Sequence, residues 1–400
     1  MKNSTVRAAN RLTTRWAAVA PGGDTGTVFT AAGVWPLLAL LADGADGPAR
    51  TELAEALGIP ADRAAATARE LLAALDGVRG LRAATGLWTK ADLPLAPRWT
   101  AGLPEGTRGT LSGDPDADGR ALDAWAAERT DGAIERMPVT LPEPPADTRL
   151  VLASALTLGL KWIQPFTEMY GLTQEGPWAD RTLLMLRRST SLLDRAGVTR
   201  GPAGAVTLLQ VVGNAGVDVH LMLGEPGAAP GEVLATGIEA ATRTRPVTGA
   251  SLLPDGEPGP GLYAGTVLAL SPEPRLDIQT PAFEVRAEHD LLGRARLFGL
   301  ESAADARSGH FPGISPEPLA VGSARQEALG RFHATGFEAA AVTAVGGAAG
   351  CGVPPRIRYR TRRVAVRFHR PFGFAAVHRT SRLVLAAGWV TDPLLHPDAQ

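Results

Sequence analysis

Cysteine is nearly absent from this chain of 400 residues, and Cys351 is the only one. That excludes an internal disulfide framework and any cysteine-based zinc cluster. An excess of either charge is also missing. The net charge of −1 at pH 7 gives no electrostatic basis for binding nucleic acid or an acidic membrane surface. No window approaches the ~18 uninterrupted apolar residues of a membrane span. The opening MKNSTVRAANRLTTRWAAVAPGG lacks the apolar run of a secretory signal, so the chain reads as cytoplasmic.

Catalytic signatures are missing too. The histidines are His220, His289, His310, His333, His369, His378 and His396, and no two have the helical spacing of a metal motif. Gly259, Gly261 and Gly265 lack the dinucleotide-binding spacing. There is no GxSxG elbow and no phosphate-binding GxxxxGK[ST] loop. Cys351 has no positioned base beside it and reads as a loop thiol. The expectation is a protein that is not an enzyme and carries neither cofactor nor metal.

What is present is a mixture of helical and extended patterns. Hydrophobic residues make up 45% and charged residues 20%, as in a globular protein with a sizeable core. The N-terminal segment reads as an amphipathic helix with Val6, Leu12, Trp16 and Val19 on its apolar face. GVWPLLALLADGA follows, with Pro36 expected near a helix start. PARTELAEALGI, ending at Gly58, and AATARELLAALDGV read as helices. LRAATGLWTKADLPL reads as extended, and GRALDAWAAERTDGAIERM as a helix closed by Gly132. TRLVLASALTLGLKW, AVTLLQVVG and VDVHLMLG read as strands, the last two joined by a tight turn at Asn214 and Ala215. TGASLLPDGEPGPGLYAG reads as a loop. RLDIQTPAFEVRA reads as extended, HDLLGRARLFGL as a helix, and three β-runs close the chain. Period and composition support one large mixed α and β domain.

Several segments together resemble the serpin family. In SALTLGLKWIQPF, Ala155, Trp162, Pro165 and Phe166 match the family's NAxxFxxxWxxPF pattern. In LDAWAAERTDGAI, Trp125, Thr130, Gly132 and Ile134 match its INxWVxxxTxGKI pattern. Phe368, Pro371, Phe372, Phe374, Gly388, Val390, Asp392 and Pro393 match its C-terminal strand pair. GFEAAAVTA is similar to the hinge of the family's reactive loop, and the correspondence runs from Val6 to Pro393.

The resemblance implies a single α+β domain over residues 1–400, with a core over 6–393 and a bait loop over about 334–363. It would have three β-sheets and about eight or nine helices. It also implies a monomer, of bacterial type and with an extracellular location open to it, whose partner is a trypsin-like or subtilisin-like serine protease. The protease attacks the loop, and the cut loop then enters the main sheet as a strand. On the family's pattern the hinge comprises Gly336, Phe337, Glu338, Ala339, Ala340, Ala341, Val342 and Thr343. Phe337, Ala339, Ala341 and Thr343 would point inward, since alternate residues of a strand share a face. Three of these are small. Phe337 replaces a usual Thr or Ser, and overpacking by its ring would cost roughly 1–3 kcal/mol unless the ring is a plug already in place.

Other positions also depart from the pattern. Ala334 replaces a glutamate usual in inhibitory members. FTAAG, with Thr30 and Gly33, replaces FSPxS. Ser154 replaces an asparagine and Gln326 a histidine in the network that, with Trp162, governs opening of the main sheet. These departures leave a second reading open, a non-inhibitory binding or chaperone-like member. The scissile bond is ambiguous as well. Counting from Gly336 places it at Gly350–Cys351, and counting back from Phe372 places it at Arg360–Thr361. The difference of ten residues adds ~33–36 Å of extended chain. Arg356, Arg358, Arg360, Arg362 and Arg363 suit a protease with an acidic specificity pocket, or solvate an exposed strand edge.

Overall fold

The computed structural model describes residues 2–20, 25–139, 149–172, 176–305, 307–337 and 358–396. The N-terminal third is mainly helical. Helix α1 (Asn3–Ala17) buries Val6, Leu12 and Trp16 as its periodicity predicts, but Val19 lies beyond the helix end and is exposed. After a short strand β1 (Thr27–Phe29) comes α2 (Ala31–Gly44), apolar on all sides and buried almost throughout. Thr30 caps it, its hydroxyl accepting a hydrogen bond from the Gly33 amide. Pro36 sits inside this helix, deeper than its chemistry suggested. Surrounding burial holds the helix despite the missing amide.

Helix α3 (Gly47–Leu57) ends at Gly58, whose positive φ of 69° closes it, and α4 (Ala61–Asp76) follows. Then come β2 (Leu81–Lys90), α5 (Pro97–Gly102), β3 (Arg108–Leu111) and α6 (Pro115–Arg129). Asp114 caps α6 by accepting hydrogen bonds from the amides of Asp116 and Ala117.

The middle is strand-rich, with β4 (Leu150–Leu158), β5 (Leu160–Lys161), β6 (Thr167–Leu172), β7 (Thr182–Thr190), β8 (Ala196–Gly201), β9 (Gly204–Val212) and β10 (Val217–Gly224). Helix α7 (Pro230–Ala241) interrupts them. The stretch expected to be a loop instead carries β11 (Thr248–Gly249), β12 (Gly256–Gly259) and the start of β13 (Leu262–Ala269). Its glycines make the β12–β13 hairpin, with Gly261 at φ 60°. Next are β14 (Arg275–Pro281) and β15 (Phe283–Asp290). The helix expected over residues 289–300 shrinks to a 3-10 turn and the four-residue α8 (Ala295–Phe298), because His289 and Asp290 finish β15. The chain closes with β16 (Ser323–Phe332), β17 (Gly336–Phe337), β18 (Tyr359–Arg367), β19 (Phe372–His378) and β20 (Val384–Val390).

These strands build three large sheets, in the orders β1-β20-β19-β10-β9-β8-β11, β12-β13-β18-β14-β7-β6 and β15-β16-β4-β2-β3. A two-stranded patch, β17-β5, sits at the head of the third. With eight α-helices among the described residues, the architecture is α+β. Most apolar side chains join one contiguous core. A smaller cluster lies where α6 crosses β2 and β4, with Trp125 edge-on to Trp88 at 5.9 Å.

Candidate functional site

Within the five-stranded sheet, β4 and β16 are parallel neighbours. Their pairing runs from Ser323 opposite Val151 to Ala328 opposite Leu156 and stops there. Beyond Ala328, β16 stays bonded to β15 as far as Phe332, while β4 stays bonded to β2 as far as Leu158. The two strands therefore part at their C-terminal ends.

The chain leaving β16 turns into that opening. The Phe166 amide donates to the Ala334 carbonyl at 2.8 Å, and the Trp162 amide to the Thr335 carbonyl at 3.0 Å. The Trp162 indole donates to the His333 carbonyl at 2.8 Å, and its ring packs 4.8 Å from that of Phe332. β17 then lies antiparallel on β5, with Gly336 opposite Lys161 and Phe337 opposite Leu160. A Cβ at Gly336 would stand 2.2 Å from the Leu160 carbonyl oxygen, so only glycine permits the approach.

Phe337 is 1% exposed, and its ring lies 6.0 Å from that of Phe374. Gly330 makes room, since a Cβ there would meet Phe374 at 3.1 Å and Phe337 at 3.3 Å. The bulky residue at the head of the expected hinge is thus already inside the molecule.

Lower on the same strand pair, four residues expected to act together do meet. Gln326 stands opposite Ser154 across the parallel pair. Its side-chain oxygen accepts from the Thr30 amide at 2.8 Å, and its side-chain nitrogen donates to the Thr30 carbonyl at 2.8 Å. This two-point clamp ties β16 to the start of α2. Gly33 lies under β4 so closely that a Cβ would come within 2.5 Å of the Ser154 hydroxyl oxygen. That hydroxyl is buried and has no hydrogen-bond partner among the described residues.

Sequence reasoning missed Glu327, buried next to Gln326 and paired with Arg286 of β15. Burial raises its carboxyl pKa, against the opposing pull of Arg286. The available signal was a lone carboxylate in a strand whose other charges, Arg325 and Arg331, are both basic.

The described end of the arginine-rich segment forms β18, which lies between β13 and β14 in its sheet, and Arg356 lies outside the described residues. Arg360 and Thr361 pair with Leu268 and Val267 of β13, and the Thr361 hydroxyl donates to the carbonyls of Pro272 and Glu273. The Arg360–Thr361 bond is therefore part of a hydrogen-bonded strand. The strand-edge reading is corrected only from Arg363 onward, where β18 also pairs with β14; Arg360 stays exposed on the part bonded to β13 alone, while Arg362 and Arg363 meet Asp255 and Asp277. Burial alone would raise the Asp277 carboxyl pKa. Hydrogen bonds from Ser189, Arg275 and Arg363, with the Arg275 charge, reverse this and leave it below its usual value. Glu338, Ala339, Ala340, Ala341, Val342 and Thr343, with the Gly350–Cys351 bond, lie outside the described residues.

The family model described as Serpin (serine protease inhibitor) matches residues 7–179 and 267–393. A rice relative (Oryza sativa subsp. japonica), serpin-Z6C, is 25% identical over 418 residues, covering 94% of this chain and 93% of its own. Among solved structures, thyroxine-binding globulin in complex with thyroxine superposes with a TM-score of 0.71 at 16% identity, covering 98% of this chain and 100% of that one. Serpin48 of the insect Tenebrio molitor gives 0.69 at 18%, over 98% and 99% of the two chains. A serpin of the trematode Schistosoma haematobium gives 0.69 at 14%, over 98% and 100%. No helix among the described residues is long and apolar enough to cross a membrane. With its family model matched on both sides of the β4–β16 opening, the chain belongs to the serpin family.

Proposed function

We propose that this chain inhibits a serine protease as a suicide substrate, by loop cleavage followed by insertion between β4 and β16. One observation carries the reading: the parallel pair opens after Ala328, and the hinge already enters the opening antiparallel to the chain beyond β4. An antiparallel strand placed between two parallel ones replaces one slanted ladder by two antiparallel ladders, which are slightly more stable per residue. In the chemical step the protease serine oxygen attacks the scissile carbonyl. The peptide C–N bond breaks, the departing amine takes the proton, and the ester joins protease to loop. Insertion would then have to outpace hydrolysis of that ester.

Because Arg360–Thr361 lies in β18, cutting there would first have to undo strand pairing. We place the cut upstream of residue 358, with Gly350–Cys351 as the position that the hinge count favours. Incubation with trypsin and with subtilisin should give a covalent complex stable in SDS, and mass spectrometry of the released peptide locates the cut. Cleavage by both proteases without any complex would remove inhibition of these two classes. A specific observation also favours a second reading, a non-inhibitory serpin-fold binding or chaperone-like protein. The buried Phe337 ring occupies the place where insertion begins, as a residue holding the loop out of the sheet would.

A further inference from the structure

A cavity of about 550 Å³ opens beneath the C-terminal end of α7, between β8, β9 and β10 and the turn joining β19 to β20. Arg195, Arg243, Arg245, Arg382 and His220 line it, an unusual concentration in a chain of net charge −1. Part of this charge is matched. Arg245 pairs with Glu239 at 2.6 Å, and Arg195 donates to the neutral amide of Gln210 at 2.8 Å. Gln210 in turn donates to Asp218, whose carboxylate is held by Arg379. The one carboxylate on the cavity wall, Asp194, accepts from the Ser251 amide at 2.9 Å. Among the described residues no carboxylate pairs with Arg243 or Arg382.

Two further features set these two arginines apart. Both have a left-handed backbone, φ 64° at Arg243 and φ 65° at Arg382. Arg243 stands just past Thr242, the C-cap of α7, where glycine is the unstrained choice. Placing arginine at both positions costs backbone strain, a feature that clusters at binding sites. A helix C-terminus attracts a cation, which accounts for Arg243 alone. Arg195 comes from the 3-10 turn before β8 and Arg382 from the β19–β20 turn. Burial, and next the Arg243 charge, lower the Arg382 pKa from its usual value, against a smaller opposing pull from Asp218, which is paired with Arg379. His220 is buried beside them, its Nε2 has no partner among the described residues, and burial lowers its pKa to about 4.

We propose that this cavity binds a phosphate-bearing small molecule, its phosphoryl group held between Arg243 and Arg382. Paired guanidinium forks suit phosphate oxygens. The volume lies within the ~300–1,000 Å³ of small-molecule sites, leaving space for an organic body beyond the phosphoryl group. The assignment is independent of the inhibitory reading, because no residue of the loop takes part.

Calorimetric titration of the full chain with inorganic phosphate and with phenyl phosphate tests it. Both should bind at one saturable site, phenyl phosphate more tightly. Arg243→Gly and Arg382→Gly should each weaken binding by about tenfold or more. Each should also keep or raise the melting temperature in phosphate-free buffer, because glycine relieves the left-handed strain. That second readout separates a lost ligand contact from a damaged fold. Absence of saturable binding at millimolar probe, or unchanged affinity in both variants, overturns the site. Phenyl phosphate binding no more tightly than inorganic phosphate overturns the assignment of an organic body.

Discussion

Ser154 and His220 show how a single buried polar group is set by its surroundings. Gly33 presses against the Ser154 hydroxyl, which is buried with no partner among the described residues. Ser154→Ala removes a buried unsatisfied group and should stabilise the fold by about 1 kcal/mol. A chemical denaturation curve checks this, and a loss of stability would mean that the hydroxyl has a hydrogen-bond partner. His220 is held neutral, chiefly by burial and also by the charges of Arg382, Arg195 and Arg243. The unfolded chain takes up a proton near pH 6.5, whereas folded His220 does so only near pH 4. Its share of stability is therefore fully present above pH 6.5. It falls by up to about 1.4 kcal/mol per pH unit as the pH drops from 6.5 to about 4. His220→Gln should flatten that slope, and an unchanged slope would show that His220 titrates normally in the folded protein. The meeting of Gly33 and Ser154 was implied by the family pattern, whereas the His220 environment was not legible, because Arg195, Arg243 and Arg382 reach it from separate segments only on folding.

At the scale of elements, the proposed insertion turns on the segment at Phe337 and on the β4–β16 pair. Phe337 is packed against Phe374 and over Gly330, so leaving or passing this position means unpacking an aromatic ring. Phe337→Thr should loosen the hinge and increase the fraction of protease trapped as an SDS-stable complex. An unchanged fraction would show that the ring does not limit insertion. The strand periodicities of β2, β4, β9 and β10 were readable because their apolar runs face the core. Helix α7 was not anticipated, and it carries Gly231 and Gly237, residues of low helix propensity. Both are close contacts. A Cβ at Gly231 would come 2.2 Å from the Ala18 carbonyl oxygen, and one at Gly237 would come 2.3 Å from Met222 Sδ. Tertiary packing outweighs helix propensity at these two positions.

For the molecule as a whole, the sheet observed has five strands, with β4 and β16 in contact. Insertion of the cut loop would convert it to six and would break or stretch the Gln326–Thr30 clamp. The inserted strand would gain two ladders and bury its small side chains. The loop-cleaved protein should then melt well above the intact one, as followed by circular dichroism. Equal melting temperatures would favour the non-inhibitory reading. The clamp joins residues 296 positions apart, so contacts distant in sequence hold β16 to the start of α2.

The sequence by itself determined the family, through local motifs around Trp125, Trp162 and Phe372, and with it the α+β architecture. These signals are local, because strand period, helix caps and turn glycines act over a few residues. Tertiary structure decided that Phe337 lies inside, that the Arg360–Thr361 bond pairs with β13, and that Arg243 and Arg382 share one cavity. Each of these depends on which distant segments pack together. Spacing along the chain does not encode that; it follows from burying the apolar faces of three sheets at once.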